Sequence, residues 1–207
     1  MSAQPERLEF ILKSSIFDRP RQLTLDRGYI EFDDTELVSA SPTRFSAKDL
    51  AAIRFGIKPI EGYRFNIGRV YRIDLMDTAG KIIKLRLKSI YGVRKKQLHN
   101  KYADIVNYLL VNYFDPVAAK YISLFKENQP FELLGVSVNA EGVLFSEKAG
   151  RISWNFVGTK RYWSYYTIFS ETDPNQYIAF QYIEHWNATI LAGVVDTILK
   201  LKFPKGK

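Results

Sequence analysis

The sequence predicts a mainly β chain with capping helices, an α+β fold in two antiparallel units that each end in a helix. Three observations lead there. Short apolar–polar alternations separated by turn residues fill positions 8–88. The apolar spacing then lengthens to three and four from about Lys96 to Phe114, which is the period of a helix with one buried stripe. After Pro130 the same succession starts again and ends in a second helical stretch.

Taken in order, Leu8–Leu12 reads as a strand. Gln22–Leu25 and Tyr29–Phe32 form a hairpin around Asp26-Arg27-Gly28, where a positive φ at the glycine is expected. Thr43–Ser46 leads into Leu50–Lys58, in which Ile53, Phe55 and Ile57 share a face and Arg54 and Lys58 take the other. Val70–Met76 and Lys81–Lys88 flank a turn at Asp77-Thr78-Ala79-Gly80. There Ile83, Leu85 and Leu87 alternate with Lys84, Arg86 and Lys88, one face buried and one wet.

Leu98, Tyr102, Ile105, Val106, Leu109, Leu110 and Tyr113 line the first helix. Asp115-Pro116 then offers a cap and a first-turn proline for a shorter helix from about Val117 to Lys126. In the second half Val136–Asn139 parallels Leu23–Asp26, and Val143–Phe145 parallels Tyr29-Ile30. Arg151-Ile152-Ser153-Trp154 parallels Arg44-Phe45-Ser46-Ala47. Tyr162–Phe169 and Gln176–Tyr182 form a long hairpin, and Trp186, Ile190, Leu191, Val194, Ile198 and Leu201 line the last helix. The copies lie about 107–114 positions apart. The chain therefore reads as a first domain over 1–114, a linker helix over 115–129 and a second domain over 130–207.

A curved antiparallel sheet leaves open ends and edges, and an amphipathic helix laid across them buries its stripe and removes the exposure. This arrangement resembles the pleckstrin-homology superfold, and the chain looks like a tandem of two bacterial-type pleckstrin-homology-like (PH-like) domains. In the first half the resemblance rests on Arg44-Phe45-Ser46 through Asp49–Ile53, the Val70–Lys88 hairpin and the Leu98–Phe114 helix. In the second it rests on Arg151–Trp154, the 162–182 hairpin and the Trp186–Leu201 helix. It implies two PH-like curved antiparallel β-barrels, each followed by a C-terminal α-helix. A single helix-grip fold is the competing architecture, and the helical stretch near 97–126 speaks against it by dividing the strands into two sets.

Composition bounds the chemistry. Among 207 residues there are no cysteines and two histidines, which removes disulfides, thiol nucleophiles and thiolate metal sites. His99 and His185 have no carboxylate at a telling spacing, and no phosphate-cradling glycine loop or nucleophile elbow occurs. Glu31, Asp33, Asp34 and Glu36 lack the spacing of a calcium loop and read as a solvated turn. The expectation is a protein that is not an enzyme, with no cofactor and no metal. The first residues lack a basic segment followed by an apolar one. The longest apolar run, Ala188–Leu199, contains Asp196 and falls short of the ~20 residues that cross a bilayer. A soluble cytoplasmic protein is therefore expected, with a peripheral membrane location left open.

Charge supplies the candidate sites. Residues 1–114 carry 20 Lys and Arg against 13 Asp and Glu, whereas 115–207 carry 10 against 9. The window 81–101 holds eight basic residues and no acid. Arg54, Lys58, Arg72, Lys84, Arg86 and Lys88, continuing into Arg94, Lys95 and Lys96, would form a positive sheet face that binds an anionic group or partner, or a solvated face that keeps the domain soluble. The resemblance adds a weaker loop set. Many PH-like domains hold inositol phosphates with a lysine followed by a basic residue, a spacer and an arginine. Lys13 with Arg19-Pro20-Arg21 has that spacing, although Pro20 stands where a strand should begin. The aromatic run from Trp154 to Phe169 fills the second core or turns one ring cluster toward a neighbour, the first half being the expected one.

The function expected is a non-catalytic binding or scaffold module. A protein is its first partner, an anionic membrane surface the second, and nucleic acid the least favoured. The alternative of another class is a helix-grip-like carrier of an apolar small molecule, lined by the many Tyr and Phe.

Overall fold

The computed structural model describes residues 6–13, 19–34, 41–145 and 150–204. The chain divides into two compact units, Met1–Tyr113 and Phe114–Lys207. The chain as a whole is mainly β, and every strand pair is antiparallel.

In the first unit β1 (Arg7–Leu12), β2 (Arg21–Asp26), β3 (Tyr29–Phe32) and β4 (Thr43–Ser46) form a meander in chain order. The register sets Leu23 opposite Phe32 and Leu25 opposite Ile30. With Leu12 and Phe45 these side chains are buried. A 3-10 turn over Ala47–Asp49 leads into the second sheet, β5 (Leu50–Glu61), β6 (Asn66–Asp77) and β7 (Ile82–Ile90). One face of this sheet buries Ile53, Ile73, Leu75, Ile83, Leu85 and Leu87. Helix α1 (Lys95–Leu109) packs on that side of β6 and β7 through Tyr102, Ile105, Val106, Tyr108 and Leu109.

The second unit opens with an additional helix and then repeats the element order of the first. Helix α2 (Asp115–Lys126) is followed by a sheet of β8 (Phe131–Leu133), β9 (Val136–Val138), β10 (Gly142–Leu144) and β11 (Ile152–Ser153). A 3-10 turn over Trp154–Phe156 leads to β12 (Val157–Arg161), β13 (Tyr165–Ser170) and β14 (Tyr177–Gln181), and helix α3 (Ala188–Lys202) ends the unit. Helix α2 packs on α3, and its Tyr121 and Phe125 rings lie 5.0 and 5.6 Å from Phe131 and Trp154.

Several expectations change. The described strands form four separate sheets and no closed barrel. At each corner a 3-10 turn interrupts the strand, so the ladder of one sheet does not run into the next. Asp115 does not cap α2: a π-helical turn over Leu110–Phe114 runs into it, so the preceding residue is helical where a capping residue would be extended. The buried stripe of α1 takes in Tyr108, and Leu110, in the π-helical turn, is half-buried. At Gly28 no positive φ is used; instead Gly28 donates its N–H to Asp26 Oδ1 at 3.0 Å. Trp186 precedes α3 rather than lying on it. Strands β8 and β12 carry no alternation that marks them, and only their pairing with β9 and β13 makes them strands.

Candidate functional site

The β5–β7 sheet sets its basic residues on one face by register alone. Arg54, Asp74 and Lys84 stand directly opposite one another across the three strands. Two positions along, Arg72 pairs with Gly56 and Arg86; two further, Val70 lies between Lys58 and Lys88. Since alternate residues share a face, these six cations and Asp74 do so.

Asp74 organises the face from its centre. It is 1% exposed. Arg54 donates Nε–H to Asp74 Oδ2 at 3.0 Å, Arg72 Nη2 lies 3.6 Å from the same oxygen, and Arg86 Nη2 lies 2.5 Å from Oδ1. Arg86 also donates Nη1–H to the Leu85 carbonyl at 2.8 Å, so its guanidinium is held by backbone as well as by charge. Three guanidinium groups therefore converge on one carboxylate at a half-buried position, where charges are screened less than in bulk water. Lys58, Lys84 and Lys88 extend the field as exposed side chains.

Beside this cluster lies a cavity of about 340 Å³ lined by Leu12, Arg21, Phe32, Asp34, Ile82, Lys84 and Arg86. Its volume is within the range of small-ligand sites. The cavity joins two sets of residues that the sequence kept apart, Arg21 of the loop set with Lys84 and Arg86 of the sheet face. Arg21 donates to the Asp34 carbonyl at 3.0 Å. Arg19 instead makes a two-pronged pair with Asp33, at 2.5 and 2.6 Å. Lys13 is exposed, and the intervening loop positions 14–18 lie outside the described residues. Glu36 of the acidic turn also lies outside them, and among the described residues no group of acids or histidines is arranged to hold a metal ion. Arg94, Lys95 and Lys96 stand apart from the sheet face, in the β7–α1 turn and the start of α1.

The second unit has a carboxylate of its own. Asp196 on α3 accepts hydrogen bonds from Thr159 Oγ1 at 3.0 Å, Tyr166 Oη at 2.8 Å and Arg161 Nε at 2.6 Å. Burial, with the Asp196 charge second, pushes the Tyr166 phenol well above its ordinary range. These three donors come from β12 and β13, so the group ties helix α3 to the sheet. Among the described residues neither histidine is seen in an ion pair: the His99 ring lies 6.0 Å from Tyr71, and His185 Nδ1 accepts the Gln181 N–H at 3.0 Å.

Sequence reasoning missed Asp74. The available signal was a single acid at an outward strand position, two residues from Arg72 and among the outward basic residues of the flanking strands. Among the described residues, no helix is long and apolar enough to cross a membrane. No family model, curated protein or solved structure matches this chain.

Proposed function

We propose that the protein is a non-catalytic binding module of two PH-like units, the first of which takes an anionic group presented by a partner. The observation that carries this is the cavity whose wall brings Arg21, Lys84 and Arg86 together beside the Asp74 cluster. Guanidinium forks match carboxylate and phosphate alike, and charge-assisted bonds to them are about twice as strong as neutral ones. An acidic protein segment is the partner proposed first, with a phosphate-bearing surface as the other source of the same chemistry. The carrier of an apolar molecule needs an apolar interior, and a wall containing Arg21, Asp34, Lys84 and Arg86 favours a charged ligand instead.

The test uses an oligoglutamate peptide and inorganic polyphosphate as probes, titrated against the full chain at low and high salt. Binding of the peptide is expected to weaken with salt and to fall about tenfold in Lys84→Glu. Lys84 is exposed and outside the Asp74 ion pairs, so the melting temperature is expected to hold. Preference for polyphosphate over the peptide would assign the phosphate source. If neither probe binds, or if Lys84→Glu binds both as the native chain does, the reading fails.

A further inference from the structure

The end of the first unit farthest from the β6–β7 turn has a different surface. The β5–β6 turn is closed by the Gly62 N–H donating to the Phe65 carbonyl at 2.8 Å. It displays Tyr63, 96% exposed, and Phe65, 66% exposed. The β7–α1 turn is fastened beside it, because Tyr91 donates its N–H to the Ile67 carbonyl at 2.7 Å. Left-handed backbone at Tyr91, Gly92 and Arg94 (φ 49°, 75° and 54°) shapes this second turn. Ser89 Oγ holds the Val93 carbonyl at 3.0 Å. The turn displays Tyr91, 77% exposed, and Val93, 59% exposed. Large apolar side chains exposed singly need no explanation, but four on two bonded turns form a patch.

Cations surround the patch. Arg64 sits over the Tyr63 ring at 5.6 Å, and Arg94, Lys95 and Lys96 are all exposed. Glu61 is the acid at the base of the hairpin. A similar construction recurs in the second unit, considered by itself. There Tyr162 closes a turn of the same length by donating to the Tyr165 carbonyl at 2.9 Å, Trp163 is exposed, and Lys160 Nζ lies 5.0 Å from the Tyr162 ring centre.

We propose that this end of the first unit docks on an anionic lipid bilayer. Tyr63, Phe65, Tyr91 and Val93 enter the headgroup boundary, and Arg64, Arg94, Lys95 and Lys96 meet the lipid phosphates and carboxylates. Tyrosine suits that boundary because its ring is apolar and its hydroxyl stays wet. Cations around a small apolar insertion add attraction to anionic lipid. Single-stranded nucleic acid would use the aromatic rings too, but Val93 and the neighbouring Ile90, also exposed, offer nothing that stacks on or pairs with a base. The cavity lies toward the other end of β6, a strand on the order of 35 Å long. Peptide binding there and docking here can therefore fail independently.

The chain has no native cysteine, so a single dye reports one place. Asn66→Cys puts an environment-sensitive dye at the proposed tip, and Ala79→Cys puts it in the β6–β7 turn. Vesicles of phosphatidylcholine with about 30% phosphatidylserine are compared with phosphatidylcholine alone. The expected result is a blue-shifted, brighter dye at position 66 with the charged vesicles only, and no change at position 79. Tyr63→Ala with Tyr91→Ala is expected to weaken partitioning by at least about tenfold, and Lys95→Glu by about fivefold or more. Both sets are exposed, so circular dichroism should report unchanged folding. No partitioning, an equal response at the two dyes, or partitioning untouched by the tyrosine changes overturns the proposal. Capture of an oligouridine with no partitioning into charged vesicles assigns the surface to nucleic acid instead.

Discussion

Asp74 lies among three guanidinium groups, and removing its charge takes away the carboxylate they share. Asp74→Asn keeps the side chain's shape while leaving Arg54, Arg72 and Arg86 to repel one another at a half-buried site. Breaking a buried pair from one side costs about 3–5 kcal/mol when the remaining charge is sealed in; these arginines keep some solvent, so a loss of about 2–3 kcal/mol is expected in denaturant titration. Sulfate is expected to raise the melting temperature of Asp74→Asn more than that of the native chain, because a free anion can take the carboxylate's place. An equal rise in both would show that the cluster does not read charge. In the second unit Tyr166→Phe removes one of the hydroxyl donors to Asp196, a loss of about 1–2 kcal/mol in the same measurement.

At the scale of elements, corners and turns decide how strands become sheets. Ser46 and Ser153 each precede a 3-10 turn with nearly the same dihedrals, φ −70°, ψ 141° and φ −62°, ψ 145°. The Asp26 carboxylate accepts the N–H two residues on, and the Asn139 side chain does the same in the second unit. Such side-chain-to-backbone bonds fix a turn locally, before tertiary contacts form. Strand β5 carries Pro59 because it is an edge strand of its sheet, with β6 on one side only. Gly142 marks the tightest approach: a Cβ there would fall 2.0 Å from the Ile152 carbonyl oxygen, on a β10–β11 pairing of two residue pairs. Gly142→Ala is therefore expected to pull β11 from β10 and destabilise the second unit by about 2 kcal/mol or more. Hydrogen exchange should show new exposure at Val143 and Ile152, and native-like protection there would refute the steric argument.

For the whole molecule, alkaline pH is the informative variable. Burial raises the phenols of Tyr102 and Tyr113 in the first unit and Tyr166 in the second, with nearby phenolic or carboxylate charge as a further cause. A group whose pKa is raised on folding keeps its proton in the folded chain after the unfolded chain has lost it. The stabilisation is complete below the ordinary tyrosine value of about 10 and declines as pH rises beyond it. Stability measured by denaturant is thus expected to be level between about pH 8 and pH 9.5 and to fall above about pH 10. The slope should approach 1.4 kcal/mol per pH unit for each tyrosine titrating late. Tyr166→Phe should reduce the slope; an unchanged slope would mean Tyr166 titrates normally in the folded chain.

Much of this protein could be read from spacing. Ile83, Leu85 and Leu87 set against Lys84, Arg86 and Lys88 placed β7 and its two faces, because strand alternation is local geometry. The lengthened period after Lys96 placed α1 for the same reason. Strands with no alternation, β8 and β12, escaped because only a neighbour's ladder makes them strands. Local pattern also fixed which face of the β5–β7 sheet is basic, since side-chain direction follows from the backbone alone. Tertiary structure alone decided that Asp74 sits at the centre of that face, that Arg21 joins Lys84 and Arg86 at one cavity, and that Tyr91 is fastened beside Tyr63. Those meetings join segments far apart in the chain, and only the packing of one sheet on another, and of strand on strand, determines them.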